Sequence, residues 1–210
     1  MSPQVIVFDY DGTLVASNAI KREAFSAIFA GQETVVSDVL RRNPSGTRWD
    51  TIRASLLESD ARLATQTETL KVKVEELALQ YDRIATEGAA TCPERPGASE
   101  GLEWLKGKLP LYLLSATPQP SLECIVARRG WTTCFRAVRG VPAATKADVL
   151  KEFAAAENVH VRDVLMVGDS EIDRDAAYAA GTAYIHMEDG MTMQDLLCRL
   201  DCRPCAKETK

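Results

Sequence analysis

The segment Val5–Val15 reads VIVFDYDGTLV, an apolar run that ends in two carboxylates two positions apart. Its continuous apolar start, without alternation, is typical of a strand buried on both faces of a sheet. Buried charge is costly unless it is paired or holds a metal ion. Asp9 and Asp11 therefore require a chemical explanation, and their partners are expected at the ends of neighbouring strands.

Short apolar runs alternate with helical patterns from Pro96 onward. The strands are predicted at 109–115, 135–140, 163–170 and 182–187, and the helices at 120–130, 145–157 and 172–181. Alternating strands and helices are typical of a doubly wound parallel sheet, so the predicted fold class is α/β.

The stretch after the first strand shows helical periodicity only, with no strand candidate. The Pro- and Gly-rich segment TCPERPGAS, residues 91–99, is predicted as the linker that returns to the sheet. We therefore expect an α/β core formed by residues 1–16 and 89–210, with an all-helical unit, residues 17–88, inserted after the first strand.

Composition limits the kinds of partner. The chain has 210 residues, of which 46% are apolar, and a formal net charge of -5. This acidic balance argues against a nucleic acid or an anionic membrane surface as partner. No apolar run approaches the roughly 20 residues of a membrane span. No basic segment precedes Val5, so a signal peptide is not expected, and we predict a soluble cytoplasmic protein.

Three predicted strands end in polar groups. The first ends at Asp9, the second at Ser115 and the third at GDS, residues 168–170. Lys146 opens the helix that precedes the third strand. In a parallel α/β sheet, ligands bind at the carboxyl ends of the strands. Carboxylates, a hydroxyl and an ammonium group that converge there suit a phosphate together with Mg²⁺, which prefers hard oxygen ligands.

These residues resemble the four ordered motifs of the haloacid dehalogenase superfamily of phosphohydrolases: DYDGT at 9–13, SAT at 115–117, a lone Lys146 and GDSEID at 168–173. The resemblance covers residues 5–15 and about 96–186, and it implies a Rossmann-like core. The helical unit corresponds in place and character to the helical cap of that superfamily. Residues 96–118 and RGWTTCF at 129–135 are similar to its phosphoglycolate-phosphatase-like branch.

The resemblance implies a role for each carboxylate. Asp9 is expected to attack phosphorus and to carry the phosphoryl group as an aspartyl-phosphate. Asp11 is expected to protonate the leaving alkoxide and then to activate water. The implied Mg²⁺ ligands are the carboxylates of Asp9 and Asp169 and the backbone carbonyl of Asp11.

The residues implied to bind the phosphoryl group are Gly12, Thr13, Ser115, Ala116 and Lys146. Among them, Ser115 and Lys146 are expected to act in catalysis by holding phosphoryl oxygens. Asp173, with Ser170 near it, is expected to orient Lys146 or a metal-bound water. Gly12 favours a tight turn whose N–H groups can face an anion.

The pairing of Asp9 with Asp11 suits phosphoryl transfer on physical grounds. A carboxylate attacks a phosphate dianion poorly unless a cation and hydrogen-bond donors neutralise the repulsion. A covalent intermediate then divides the transfer into two easier steps. Within the resemblance, dehalogenases lack an Asp two positions after the nucleophile, and ion-pumping ATPases have Thr there. Asp11 therefore favours transfer from a phosphate ester.

Several of these residues have simpler alternative roles. The two carboxylates can be turn or cap residues, and Ser115 or Thr117 can cap a helix. Many relatives place a Gly before the motif lysine and a Pro after it, whereas this chain reads ATKAD around Lys146. Lys151, several residues into the same helix, is the competing lysine, and we favour Lys146.

The helical unit is expected to select the substrate. Its most unusual stretch is RRNPSGTRWD, residues 41–50, in which a turn precedes Thr47, a residue that can cap the next helix. Arg48 is predicted either to bind a substrate carboxylate or sugar hydroxyl, or to be a solvated surface arginine. Trp49 is predicted to anchor the core of this unit.

A cysteine cluster, CRLDCRPC, lies near the end of the chain and contains Cys198, Cys202 and Cys205. A zinc site usually has four ligands, and neither histidine of the chain is close in sequence. We therefore expect a frayed tail here and not a metal site.

These observations predict a Mg²⁺-dependent phosphatase that acts on a small phosphomonoester such as phosphoglycolate, a sugar phosphate or a nucleotide. The small-molecule substrate is the expected partner, with no nucleic acid and no membrane, and the expected state is a monomer or homodimer. A phosphomutase of the same fold is the nearest alternative. A non-catalytic binding protein is the other alternative, although it would have no need for the acid/base carboxylate of Asp11.

Overall fold

The computed structural model describes residues 2–44, 46–141 and 145–200. The strands are β1 (Val5–Phe8), β2 (Leu111–Pro118), β3 (Ala137–Val141), β4 (Val164–Gly168) and β5 (Ala183–His186). The α-helices are α1 (Asn18–Ile28), α2 (Glu33–Arg42), α3 (Arg48–Ser59), α4 (Thr67–Thr91), α5 (Ala98–Lys106), α6 (Gln119–Arg128), α7 (Lys146–Ala156), α8 (Glu171–Ala180) and α9 (Met193–Arg199). Within these ranges, no helix has both the length and the apolar character needed to cross a membrane.

The strands run parallel in one sheet, in the order β3-β2-β1-β4-β5. The chain moves outward from β1 on one side and then crosses to the other side, so β1 marks the switch point of a doubly wound sheet. This topology confirms the predicted α/β, Rossmann-like class. Ligands of such sheets bind at the carboxyl ends of the strands beside the switch point, which here are β1, β2 and β4.

The central strand, β1, is buried at all four residues. Val7 lies opposite Tyr112 of β2 and Met166 of β4. An apolar strand without alternation is what such a central position requires, because helices cover both faces of a parallel sheet. On one face the rings of Tyr112 and Phe153, a residue of α7, stack with their centroids 4.1 Å apart. Ala177 of α8 belongs to the same apolar cluster.

The linker predicted at 91–99 is shorter in the structure. Helix α4 continues to Thr91 and α5 begins at Ala98, so the connection is formed by residues 92–97. Gly97 precedes α5 with a φ of 79°, which glycine adopts readily. The pattern of Pro and Gly residues therefore indicated the break in the chain correctly but overstated its length.

The C-terminal segment forms a helix where the sequence predicts a frayed tail. A capping box starts α9, since the Thr192 hydroxyl accepts from the Asp195 N–H and the Asp195 carboxylate accepts from the Thr192 N–H. Cys198 lies in this helix, and its thiol donates to the carbonyl one turn earlier at 2.9 Å. The prediction is therefore wrong for Cys198, because local capping stabilises the helix. Cys202 and Cys205 lie outside the described residues.

The chain divides into two compact units, residues 1–17 with 89–210, and residues 18–88. The second unit contains α1, α2, α3 and most of α4. Its core includes Phe25 and Tyr81, whose ring centroids are 4.4 Å apart. These residues lie on the apolar faces of α1 and α4, so the helical periodicity of this stretch produces a core within the unit itself.

Trp49 does not anchor that core. Its side chain is 40% exposed, and the guanidinium of Arg48 lies 5.3 Å from the centre of its ring. The prediction of a core anchor is therefore wrong. Trp49 is the second residue of α3, and it lies on the outer side of the helix, whereas Ile52 is fully buried.

Candidate active site

Three strand ends bring the predicted polar residues to one edge of the sheet. Asp9 follows β1, and its N–H donates to the carbonyl of Val167 at 2.8 Å, which extends the pairing of β1 with β4 by one residue. Asp169 follows β4, and Ser115 lies in β2 on the other side of β1. Asp9 and Ser115 are both buried. The strand order thus places a carboxylate on one side of Asp9 and a hydroxyl on the other.

Lys146 is the lysine that contacts Asp9. Its Nζ donates to Asp9 Oδ1 at 2.8 Å and to Asp173 Oδ1 at 2.6 Å. Lys146 is the first residue of α7, and the hydroxyl of Thr145 caps that helix. Lys151 is exposed on the same helix. The unusual neighbours of Lys146 in sequence therefore do not prevent it from reaching the site.

The pKa values of Asp9 and Lys146 both lie above their ordinary values. Burial raises the pKa of Asp9 to about 7; Lys146 opposes this effect, while Asp173 and Asp11 add to it. Burial acts to lower the pKa of Lys146, but Asp9 and Asp173 raise it well above its ordinary value. The effect of Lys146 on the pKa of Asp9 thus does not fully offset burial together with the two neighbouring carboxylates. An additional cation at this edge would keep Asp9 ionised near neutral pH.

Asp173 is fixed by the first turn of α8. Its Oδ2 accepts from the Ser170 hydroxyl at 2.5 Å and from the Ser170 N–H at 3.3 Å. Gly168 allows this approach, because a Cβ at that position would lie 2.5 Å from the Asp173 Cγ. Since Lys146 engages the other oxygen, both oxygens of Asp173 are occupied. This arrangement suits a residue that orients Lys146.

The carboxylates at this edge fit a divalent cation of the Mg²⁺ type. Asp9, Asp169 and Asp173 each offer an oxygen, and these oxygens lie within 4.8 Å of one another. Oxygen donors of this kind are the ligands that Mg²⁺ prefers. Because both Asp173 oxygens are already engaged, Asp9 and Asp169 are the better suited ligands. Thr13 lies beside them, with its Oγ1 donating to Asp169 Oδ1 at 3.4 Å.

Asp11 is held at both carboxylate oxygens. Ser17 Oγ donates to Oδ1 at 2.5 Å, and Thr117 Oγ1 donates to Oδ2 at 3.0 Å. Neither hydroxyl is among the predicted site residues, and the sequence indicates Thr117 only as a residue that can cap a helix. Helix α6 has no side-chain cap. The position of Thr117 in the SAT motif is the one signal that points toward the site.

The turn after Asp11 is formed by Gly12, whose φ is 75°. Its N–H donates to the Val15 carbonyl at 2.9 Å, so this amide is already engaged and the expectation that it faces an anion is wrong. Gly12 contributes the left-handed turn instead. In β2, Ser115 Oγ accepts from the Thr117 N–H at 3.1 Å, and Ala116 is exposed.

Arg95 supports this turn and is not indicated by the sequence. Its Nε donates to the Thr13 carbonyl at 2.7 Å, and its terminal nitrogens donate to the carbonyls of Gly12, Glu188 and Met191. Four carbonyls from two loops thus share one guanidinium. The residue lies in the segment that the sequence predicts only as a linker, and its partners are backbone atoms.

Arg129 fixes Tyr10, the residue between the two carboxylates. Its Nε donates to the Tyr10 hydroxyl at 2.6 Å, and that hydroxyl donates to the Ala89 carbonyl at 2.7 Å. The same guanidinium donates to the carbonyls of Ala89 and Cys92 at 2.7 and 2.8 Å. A buried cation therefore ties the Asp9–Asp11 segment to residues 89–92.

Tyr184 of β5 contacts the loop that contains Asp169. Its hydroxyl lies 3.0 Å from the Gly168 carbonyl and 3.2 Å from the Ser170 carbonyl, and it also contacts His186 Nδ1 at 3.1 Å. Burial raises the pKa of Tyr184 to about 12, so it stays a donor. Its hydrogen bonds reach both sides of Asp169, although the sequence contains no signal for this role.

Arg48 belongs to the helical unit. Thr47 caps α3 through a capping box, as the sequence predicts, and Ser45 of the preceding turn lies outside the described residues. Arg48 Nε lies 2.9 Å from Asp82 Oδ1 in a partly buried ion pair. Burial raises the pKa of Asp82, and Arg48 opposes that effect. A substrate anion would compete with Asp82 for Arg48, whose substrate role stays a prediction.

A family model described as haloacid dehalogenase-like hydrolase matches residues 3–181. This range includes the strand-end residues from Asp9 to Asp173. Among curated proteins, no sequence matches the chain.

Solved structures share the fold at low sequence identity. YfnB from Bacillus subtilis, described as a HAD hydrolase bound to magnesium, is 15% identical, with a TM-score of 0.70 over 96% of this chain and 100% of that one. A predicted phosphoglycolate phosphatase from Haemophilus somnus 129pt is 20% identical, with a TM-score of 0.67 over 89% and 85% of the two chains. The L-2-haloacid dehalogenase from Xanthobacter autotrophicus is 21% identical, with a TM-score of 0.58 over 96% and 85%. Because these structures are at most 21% identical to the chain and include a dehalogenase as well as a predicted phosphatase, the likeness shows the fold alone.

Proposed function

This chain belongs to the haloacid dehalogenase-like hydrolase family, and we propose that within it the protein is a Mg²⁺-dependent phosphatase. The substrate is a small phosphomonoester, which is hydrolysed through an aspartyl-phosphate on Asp9. The observation that carries this proposal is the pair of carboxylates at the end of β1. Lys146 holds Asp9, and two hydroxyls hold Asp11.

Asp11 distinguishes phosphate-ester hydrolysis from removal of a halide. A halide leaves as an anion without a proton, whereas the alkoxide of a phosphomonoester requires one. The Asp11 carboxyl can supply this proton, because it is buried two positions after the nucleophile and both of its oxygens are held. The position and contacts of Asp11 therefore support a phosphatase over a dehalogenase of the same fold.

The first step forms the covalent intermediate. A carboxylate oxygen of Asp9 attacks phosphorus, the bond from phosphorus to the ester oxygen breaks, and Asp11 gives its proton to that oxygen. In this proposal, the ammonium group of Lys146 and the hydroxyl of Ser115 hold phosphoryl oxygens and offset their charge.

The second step releases phosphate. Water attacks phosphorus and gives a proton to the Asp11 carboxylate, and the bond between phosphorus and Asp9 breaks. Asp9 is then a carboxylate again, Asp11 has recovered its proton and inorganic phosphate leaves. Asp173 keeps Lys146 in place through both steps, since its own oxygens are held by Lys146 and Ser170.

The carboxylates of Asp9 and Asp169 and the backbone carbonyl of Asp11 would hold Mg²⁺. When bound, the cation neutralises phosphate charge and offsets the repulsion between a carboxylate and a dianion. Oxygens of Asp9 and Asp169 lie within 4.8 Å of each other, which supports this assignment, and a cation there would offset the burial that raises the pKa of Asp9.

The proposal is tested by phosphate release from a panel that contains phosphoglycolate, glycerol phosphate, sugar phosphates, nucleoside monophosphates and 4-nitrophenyl phosphate. We expect Mg²⁺-dependent turnover that EDTA removes and that Asp9→Asn and Asp11→Asn abolish. Asp175→Asn, the same change at an exposed aspartate of α8, is the matched control and should retain activity. Turnover that survives Asp9→Asn, or a wild-type protein inactive on the whole panel, would contradict the proposal.

A further inference from the structure

We propose that Thr117 is a positioning residue that orients the Asp11 carboxyl for proton transfer. The inference rests on the proposed function, because it concerns the acid and base of that reaction. The observation is the hydrogen bond from Thr117 Oγ1 to Asp11 Oδ2 at 3.0 Å. It joins the end of β2 to the turn after β1, over a separation of 106 residues in sequence.

The two hydroxyls on Asp11 fix the plane of its carboxyl group. Ser17 approaches Oδ1 and Thr117 approaches Oδ2, so rotation of the carboxyl about its Cβ–Cγ bond would break both contacts. Asp11 is 6% exposed, which leaves little room for water to replace either donor. A general acid acts well only within hydrogen-bonding reach of the atom it protonates.

Thr117 is itself held in place by the neighbouring strand. Its N–H donates to Ser115 Oγ at 3.1 Å. Two residues later, Gln119 Oε1 accepts from the Gly140 N–H at 2.6 Å, and Gln119 Nε2 donates to the Val138 carbonyl at 3.1 Å. The two Gln119 contacts tie the chain directly after the threonine to β3, while the Ser115 contact holds Thr117 within β2.

Gly140 adds to this support by its lack of a side chain. A Cβ at Gly140 would lie 2.4 Å from the Thr117 carbonyl and 2.8 Å from the Gln119 nitrogen. The backbone of β3 therefore packs directly against that of Thr117. The threonine hydroxyl is presented to Asp11 from a rigid position, which is what a positioning residue requires.

The chemistry of the leaving group separates this role from a structural one. An alkyl phosphate needs a proton from Asp11 in the first step, whereas 4-nitrophenolate leaves as an anion. Both substrates need Asp11 as a base in the second step. The value of kcat/KM reports the steps up to formation of the covalent intermediate, and kcat includes its hydrolysis.

The test compares Thr117→Val, which removes the hydroxyl, with Thr117→Ser, which keeps it. For the alkyl phosphate turned over fastest in the panel, we expect kcat/KM of Thr117→Val to fall at least about tenfold. For 4-nitrophenyl phosphate, kcat/KM should stay within about twofold while kcat falls, because hydrolysis of the intermediate still needs the base. Thr117→Ser should restore both parameters to within about threefold of wild type.

Thr182→Val is the matched control. Thr182 is also buried, and its hydroxyl donates to the Ala177 carbonyl at 3.3 Å, so this variant loses a threonine hydroxyl that does not contact Asp11. It should leave kcat and kcat/KM unchanged for both substrates. Where valine at position 117 prevents folding, Thr117→Ala removes the same hydroxyl and tests the same expectation.

Equal losses of kcat/KM for the two substrates, or no loss for either, would overturn the inference, since Thr117 would then act only on stability or substrate binding. The same holds if Thr117→Ser behaves like Thr117→Val. A wild-type protein that releases no phosphate from either ester gives a different result: it removes the proposed function and with it the premise of this inference.

Discussion

The two units of the chain differ in how far their ionic groups are buried. In residues 1–17 and 89–210, Asp9 and Asp173 are buried and share one ammonium group, that of Lys146. In residues 18–88, the ion pair of Arg48 with Asp82 is partly exposed, with 21% and 25% of the side chains accessible. The first arrangement would be costly without a compensating function, because buried like charges repel and lose hydration.

This difference indicates that the charged groups at the sheet edge serve the chemistry, whereas those of the helical unit serve its structure. At the sheet edge, each charge has a position that its neighbours dictate, so its removal should change the reaction. In the helical unit, the described polar contacts resemble those of an ordinary helical bundle, and their removal should change the reaction little. The following variants test that contrast, in order of expected effect.

Outside the Asp9–Asp11 pair, Lys146→Met should lower the rate most. It removes the cation beside Asp9, and we expect kcat/KM for the best phosphomonoester to fall about a hundredfold or more. The matched control is Lys151→Met on the same helix, which should stay within about twofold of wild type because Lys151 is exposed. Similar losses in the two variants, measured as initial rates of phosphate release, would contradict the assignment of Lys146.

Asp9→Asn should alter the pH dependence of stability in EDTA. The unfolded carboxyl loses its proton near its ordinary pKa of 3.8, and the folded one near 7. Between these values the folded state binds more protons, so the stability of the wild-type protein falls as pH rises and levels off above about pH 7. Asparagine does not titrate, so Asp9→Asn should not show this fall in stability with rising pH.

Urea unfolding at about pH 5 and about pH 8 measures that change. The free energy of unfolding of Asp9→Asn minus that of the wild type should be larger at about pH 8 than at about pH 5, by more than about 1 kcal/mol. Saturating Mg²⁺ should reduce the difference, and Asp175→Asn should behave like wild type. Parallel pH profiles for Asp9→Asn and wild type in EDTA would show that Asp9 does not carry the raised pKa.

Tyr184→Phe should weaken the response to metal. It removes the hydroxyl that contacts the Gly168 and Ser170 carbonyls on either side of Asp169. We expect the Mg²⁺ concentration for half-maximal activity to rise about tenfold, with kcat at saturating Mg²⁺ almost unchanged. Tyr178→Phe, at an exposed tyrosine of α8, is the control. An unchanged Mg²⁺ requirement would mean that the tyrosine only packs against β5.

Arg48→Gln should have the smallest effect. Because Asp82 already neutralises this guanidinium, we expect KM to change less than about threefold and stability to fall by about 1 kcal/mol or less. Arg53→Gln, at an exposed arginine of the same helix, is the control. A tenfold rise in KM confined to a carboxylate-bearing phosphomonoester would instead assign Arg48 to substrate binding, and the helical unit would then contribute directly to recognition.

The sheet and its carboxyl edge could be predicted from the sequence, because apolar periodicity and the alternation of elements determine which residues follow which strands. Asp9, Ser115 and Asp169 were found in this way, since each directly follows or closes an apolar run. Lys146 required the motif order as well, because a lysine at the start of a helix is otherwise unremarkable in sequence.

The supporting contacts could not be predicted in the same way. Arg95 donates to backbone carbonyls, and Arg129 donates to two of them; every residue has a carbonyl, so no pattern of residue types marks these partners. Tyr184 reaches carbonyls 14 and 16 residues away, on a neighbouring strand and loop. Thr117 lies within a motif, yet its contact with Asp11 could be inferred only once β1 and β2 were known to be neighbours in the sheet.

The most direct test of the account is to locate the phosphoryl group on the protein. The full chain is mixed with its best phosphomonoester and Mg²⁺, quenched in acid within a single turnover, digested and analysed by mass spectrometry. We expect the mass of one phosphoryl group on the peptide that contains Asp9, and none on that peptide from Asp9→Asn. Phosphate release without any phosphorylated peptide, or a phosphoryl group on another residue, would contradict it.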